Sequence, residues 1–84
     1  MRDTLRSPRQ IVLRKELRAL RERHRLTQEE LARRLGKPQS FVSKYEGGER
    51  RLSVIDFIDV VRAIGEEPAA MLRKIIPAID RAGA

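Results

Sequence analysis

Every apolar stretch of this chain recurs at spacings of three and four residues, and nothing alternates with the period of two that a half-buried strand needs. Each stretch also carries its own start and stop residues. That combination confines the chain to short helices joined by tight turns, so the predicted fold class is all-α, a compact five-helix domain. The first helix begins near Pro8, where Ser7 caps free backbone N–H groups and proline suits the first helical position. Its core arc is Leu13, Leu17, Leu20 and His24, while Ile11 and Val12 fall off that arc. Thr27-Gln28-Glu29-Glu30 opens a second helix with Leu31, Ala32 and Leu35 inward, closed by Gly36. A third follows Pro38 with Val42 and Tyr45 inward and stops at Gly47-Gly48, so the turn between helices two and three is very short. Ser53 with Asp56 starts a fourth, whose apolar arc is Val54, Phe57, Ile58, Val61 and Ile64 up to Gly65. Pro68 opens a fifth with Met71, Leu72 and Ile75 inward. Pro77 is expected to end or bend it, leaving Ile79 in a tail of residues 78–84. Residues 1–6 read as a flexible basic arm, and 7–77 as a single domain.

Chemistry is narrowed by what the composition lacks. Cysteine is absent and His24 is the only histidine, so thiolate chemistry, disulfides and a metal cluster are excluded, and no cofactor is expected. No nucleophile and base stand at a recognisable spacing, and no glycine-rich phosphate loop is present. An enzyme is not expected. The Asp56, Asp59 and Glu66 series reads as a solvated stripe. No apolar run approaches a membrane span and no leader pattern stands at the N-terminus, which points to a cytoplasmic protein. Charge is uneven: of 19 basic and 12 acidic residues, fifteen and seven lie between Met1 and Arg51. Such asymmetry suits a polyanion, either nucleic acid or an anionic membrane surface. A membrane role is the weaker of the two, because the leucine face of the basic first helix is needed for the core.

With Val42 and Tyr45 turned inward, the outer face of helix three carries Gln39, Ser40, Ser43 and Lys44. A solvated helix face more often carries Glu and Lys. Gln bonds an adenine edge in two places and Lys donates to guanine, so this face has the composition of a base reader. Lys37 before the helix and Arg50 and Arg51 after it are placed as flanking phosphate contacts, which would set register while the helix sets sequence. Phe41 beside them either touches a thymine methyl or shields the helix-two turn, and shielding is the favoured reading.

The segment Leu26 to Ser53, LTQEELARRLGKPQSFVSKYEGGERRLS, resembles the helix-turn-helix of the phage repressor and Cro (XRE) family, and the helix pattern extends the likeness from about Leu13 to Ile75. The resemblance implies a domain that binds operator DNA as a two-fold homodimer, with the third helix of each subunit in a major groove and an inverted-repeat operator as partner. By position it implies that Gln28 contacts phosphate and braces Gln39. It assigns base readout to Gln39, Ser40, Ser43 and Lys44, and it joins Arg21 to Glu46 in a structural salt bridge. The chain departs from the family pattern at Arg25, where glycine is frequent, at Lys37-Pro38, where a capping hydroxyl is frequent, and at Phe41, often polar.

Ile55 and Ile76 lie off the core arcs of their helices, and together with Ile79 they form the expected dimer seam. The function expected is a dimeric, sequence-specific repressor. The alternative is an antitoxin-type module that neutralises a protein partner and binds DNA to regulate itself. A boundary place in the core is expected for His24, and a plain helix stop for Gly47-Gly48.

Overall fold

Capping chemistry sets the helix starts. In the computed structural model, which describes residues 6–83, the helices are α1 (Pro8–Arg23), α2 (Gln28–Leu35), α3 (Gln39–Glu46), α4 (Val54–Ile64) and α5 (Pro68–Gly83). Ser7 accepts from the Gln10 amide at 3.2 Å. Thr27 with Glu30 and Ser53 with Asp56 close reciprocal capping boxes at the starts of α2 and α4. Glu67 accepts from the Ala69 and Ala70 amides at the start of α5. These backbone N–H groups hold the Glu30, Asp56 and Glu67 carboxyls below the usual carboxylate range. Gly36 ends α2 in the left-handed region (φ 70°), a conformation that turns the chain straight into α3.

Leu17, Leu20, Leu31, Ala32, Val42, Tyr45, Val60, Val61, Ile64, Met71 and Ile75 form the interior, with Leu26, Phe41 and Phe57 at its margin. The Tyr45 ring meets Phe41 edge-on, with centroids 5.6 Å apart. α1 and α5 pack along one another, and α2 and α3 pack as a pair against α4 and α1. Arg34 from α2 donates to the Ala63 carbonyl at 2.9 Å, tying α2 to the last turn of α4. The outcome is an all-α domain that presents α3 at one edge.

Several expectations need correction. α5 runs through Pro77 to Gly83, so residues 78–83 are helix rather than tail. Proline withholds one backbone bond, and that loss is outweighed because the last turns lie against α1, with Ile79 half-buried on the core and Arg9 3.8 Å from Asp80. Of the basic arm, only Arg6 lies within the described residues, where it is exposed; the rest lies outside them. Val54 and Leu72, expected inward, are exposed, whereas Val60 is fully buried. α4 is covered on more sides than one amphipathic arc implies, while its first turn projects past its neighbours. His24 is not a core residue: it caps the end of α1 and its Nε2 lies 2.8 Å from a Glu66 oxygen, which removes Glu66 from the plain solvated stripe.

Arg25 occupies the left-handed region at φ 58°, a conformation that favours glycine. The turn keeps its form because the Leu26 amide still reaches the Arg21 carbonyl at 3.2 Å, the closing bond of a left-handed helix stop. A side chain there costs about 1–2 kcal/mol, and glycine's extra unfolded-state freedom offsets part of the relief. Arg25→Gly is expected to stabilise the domain by about 0.5–1 kcal/mol, read from the urea midpoint; destabilisation would show that the Arg25 side chain contributes more than its backbone strain costs.

Candidate nucleic-acid interface

α3 is eight residues long and buries one stripe: Phe41, Val42 and Tyr45. The opposite stripe, Gln39, Ser40, Ser43 and Lys44, is exposed. Within it the Ser43 hydroxyl donates to the Ser40 backbone carbonyl at 3.3 Å, and both serines are exposed. The N-terminal residue before α3 is Pro38, which supplies no side-chain cap. Cations ring that end of the helix. A shallow depression of about 380 Å³ there is lined by Lys37, Ser40, Phe41, Lys44 and Arg50, among others.

Phe41 organises the cations. The residue is 8% exposed, with the Lys37 ammonium 5.2 Å and the Arg50 guanidinium carbon 4.7 Å from its ring centroid. The ring therefore shields the turn and seats two of the residues assigned to phosphate contact. Arg50 also lies 3.5 Å from the Asp56 carboxylate. Gly48, at φ 82°, turns the chain out of α3 so that the Glu49 and Arg50 amides fold back on the Lys44 carbonyl. Arg50 and Arg51 follow that turn, both exposed.

α3 is fixed to the rest of the domain by its last residue. Arg21 donates to Glu46 twice, through Nε to Oε2 at 2.8 Å and through Nη2 to Oε1 at 3.0 Å, and its Nη1 donates to the Leu26 carbonyl at 2.7 Å. The two side chains are 8% and 3% exposed. The hydrogen bond to Glu46 outweighs desolvation and raises the Arg21 pKa, so the guanidinium stays charged. Gln28, the first residue of α2, donates to Glu46 Oε1 at 2.9 Å. The buried carboxylate is a stronger acceptor than a neutral amide, so this bond holds the Gln28 side chain at the start of α2. Glu46 thus joins α1, α2 and α3.

Ile55 and Ile76 are exposed, whereas Ile79 packs partly on the core. Two features of this surface escaped the sequence reading. Asp56, expected to start α4 and to lie in a polar stripe, also faces Arg50; and Val54 and Leu72 enlarge the exposed apolar face. Val54, Phe57, Ile58 and Leu72 line a groove of about 300 Å³ with Arg62 and Glu67 at its rim.

Two short helices joined by a tight turn, the second exposed and flanked by cations, define a helix-turn-helix. The chain belongs to that family, whose model matches residues 17–71, in its XRE branch. It is 50% identical to an XRE-family like protein from Pseudomonas syringae pv. tomato, over 83% of this chain and 85% of that one, with a TM-score of 0.79. It is also 38% identical over 64 residues to an uncharacterized HTH-type transcriptional regulator of Sinorhizobium fredii, a match covering 76% of this chain and 33% of that protein. The chain therefore spans about a third of that relative's length. The family is one of DNA-binding regulators rather than enzymes. Among the described residues no helix is long and apolar enough to cross a membrane.

Proposed function

We propose that this protein is a cytoplasmic, sequence-specific regulator of transcription that binds double-stranded DNA as a homodimer and represses by occluding a promoter. The observation that carries this reading is the exposed Gln39, Ser40, Ser43 and Lys44 stripe on a helix whose other side is locked into the core. An α-helix of about 10–12 Å diameter fits a major groove of similar width. In this reading those four side chains meet base edges, while Lys37, Arg50, Arg51 and the start of α2 at Gln28 meet phosphates. Gln28 keeps one amide proton for the DNA side while the other is spent on Glu46. The exposed Val54, Ile55, Leu72 and Ile76 supply the dimer surface. The same apolar face is what the second reading, a protein-neutralising module of the antitoxin type, would use.

Selection of bound duplexes from a randomised pool at about 150 mM salt tests the reading, since weak electrostatic binding is suppressed there. An enriched inverted repeat with half-sites about one helical turn apart is expected; no enrichment by the folded protein would favour the second reading. On the selected duplex, Gln39→Ala is expected to cost about 1–3 kcal/mol and to relax preference at one base pair. An unaltered preference would remove Gln39 from the groove.

A further inference from the structure

We propose that Asp56 is a resident counter-anion for Arg50, holding its guanidinium at the edge of the recognition helix until a DNA phosphate takes the carboxylate's place. The inference rests on the DNA-binding reading above and assigns a positioning residue to it.

Both partners of Arg50 are fixed. Phe41, beneath the guanidinium, is buried and braced edge-on by Tyr45. Asp56 is pinned by the capping box at the start of α4: its Oδ2 accepts from the Ser53 amide at 3.0 Å, and its own amide donates to the Ser53 hydroxyl at 3.0 Å. Arg50 is the movable member, with its side chain 46% exposed against 18% for Asp56, and the same Asp56 oxygen lies 3.5 Å from its Nη2. An exposed pair at that separation adds little to stability. Its effect is on where Arg50 points and on how much charge it shows.

In the free protein the carboxylate cancels one positive charge beside α3, weakening attraction to any duplex. A phosphate oxygen offers the guanidinium the same kind of acceptor, so Arg50 exchanges one anion for the other without leaving the Phe41 ring. The exchange favours a phosphate delivered to that seat by a correctly docked α3 over one met at random. Asp56 therefore lowers sequence-independent affinity.

The test titrates a labelled duplex of random sequence with the full chain by fluorescence anisotropy between 50 and 200 mM salt, with circular dichroism to verify folding. Asp56→Asn keeps an oxygen to accept from the Ser53 amide and removes the charge. It is expected to steepen the slope of log affinity against log salt by about 0.9, which is about eightfold tighter binding at 0.1 M salt. In an Arg50→Ala background the same substitution should give a clearly smaller change in both quantities, the remainder coming from the field of Asp56 at Lys37, and Asp56→Glu, which keeps charge and cap, should retain the wild-type slope. An Asp56→Asn gain of equal size with and without Arg50, or no gain at all, would overturn the proposal while leaving the DNA reading intact. A wild-type protein that binds no duplex at 50 mM salt would overturn both.

Discussion

Glu46→Ala is expected to destabilise the domain by about 3–5 kcal/mol, the cost of stranding a buried charge. Among the described residues, Arg21 would keep its hydrogen bond to the Leu26 carbonyl and lose both to Glu46, and the Gln28 amide would lose that acceptor as well. A domain of this kind is stable by about 5–15 kcal/mol in total, so the variant should stand near the threshold of folding. With a urea dependence of about 1–1.5 kcal/mol per molar for so small a chain, the midpoint should fall by about 2–5 M. Replacing both partners by apolar residues of similar volume, Arg21→Met with Glu46→Leu, should recover most of the loss, because the penalty comes from the unpaired charge rather than from the absent pair. A loss under about 1 kcal/mol for Glu46→Ala would show that water solvates Arg21 in place of Glu46 and that the pair does not lock α3. The functional consequence follows from the geometry. Glu46 is the last residue of α3, the helix proposed to enter the groove, and its three hydrogen bonds fix that helix's angle to α1 and α2.

Local chemistry was the readable part of this sequence. Ser7, Thr27 and Ser53 cap where their spacing to Gln10, Glu30 and Asp56 placed helix starts, because a cap depends on residues three apart. Val42 and Tyr45 are fully buried, and on a helix of eight residues that orientation leaves little choice for the outer face. Illegible were the features decided by packing between distant segments. Pro77 carries a strong local stop signal that the α1–α5 contact overrides. Val60 and Val54 exchange their expected places because burial on α4 depends on which neighbours cover each turn, not on the arc alone. His24 finds Glu66 across 42 residues of sequence, and Gln28 finds Glu46 across 18. At the interface the residue types were legible, whereas the seating of Arg50 between Phe41 and Asp56 was not, since it joins three segments that only the fold brings together.

Ile55→Asp is expected to abolish tight binding to a duplex with two half-sites while leaving the fold intact. Ile55 is 65% exposed in the first turn of α4, so no core packing is lost, and a carboxylate near a helix N-terminus is favourable. Its cost falls on the proposed dimer. Two charged groups brought into an apolar contact about a two-fold axis would each lose water without gaining a partner. Ile76→Asp, at 44% exposure on α5, should act in the same direction. Sedimentation would report monomer for a variant where the parent is dimer. Joining two readers makes the second half-site an intramolecular event, a gain of about 10²–10⁴-fold in affinity that a monomer forfeits. Binding to a duplex with one half-site should be unchanged, because α3 and its cations lie on other residues. The pairing of these two duplexes decides the outcome: equal losses on both would place Ile55 in the DNA contact or in the fold, and no loss on either would remove this face from the dimer. Loss confined to the two-half-site duplex would show that the exposed apolar surface of α4 sets the spacing at which two recognition helices meet one operator.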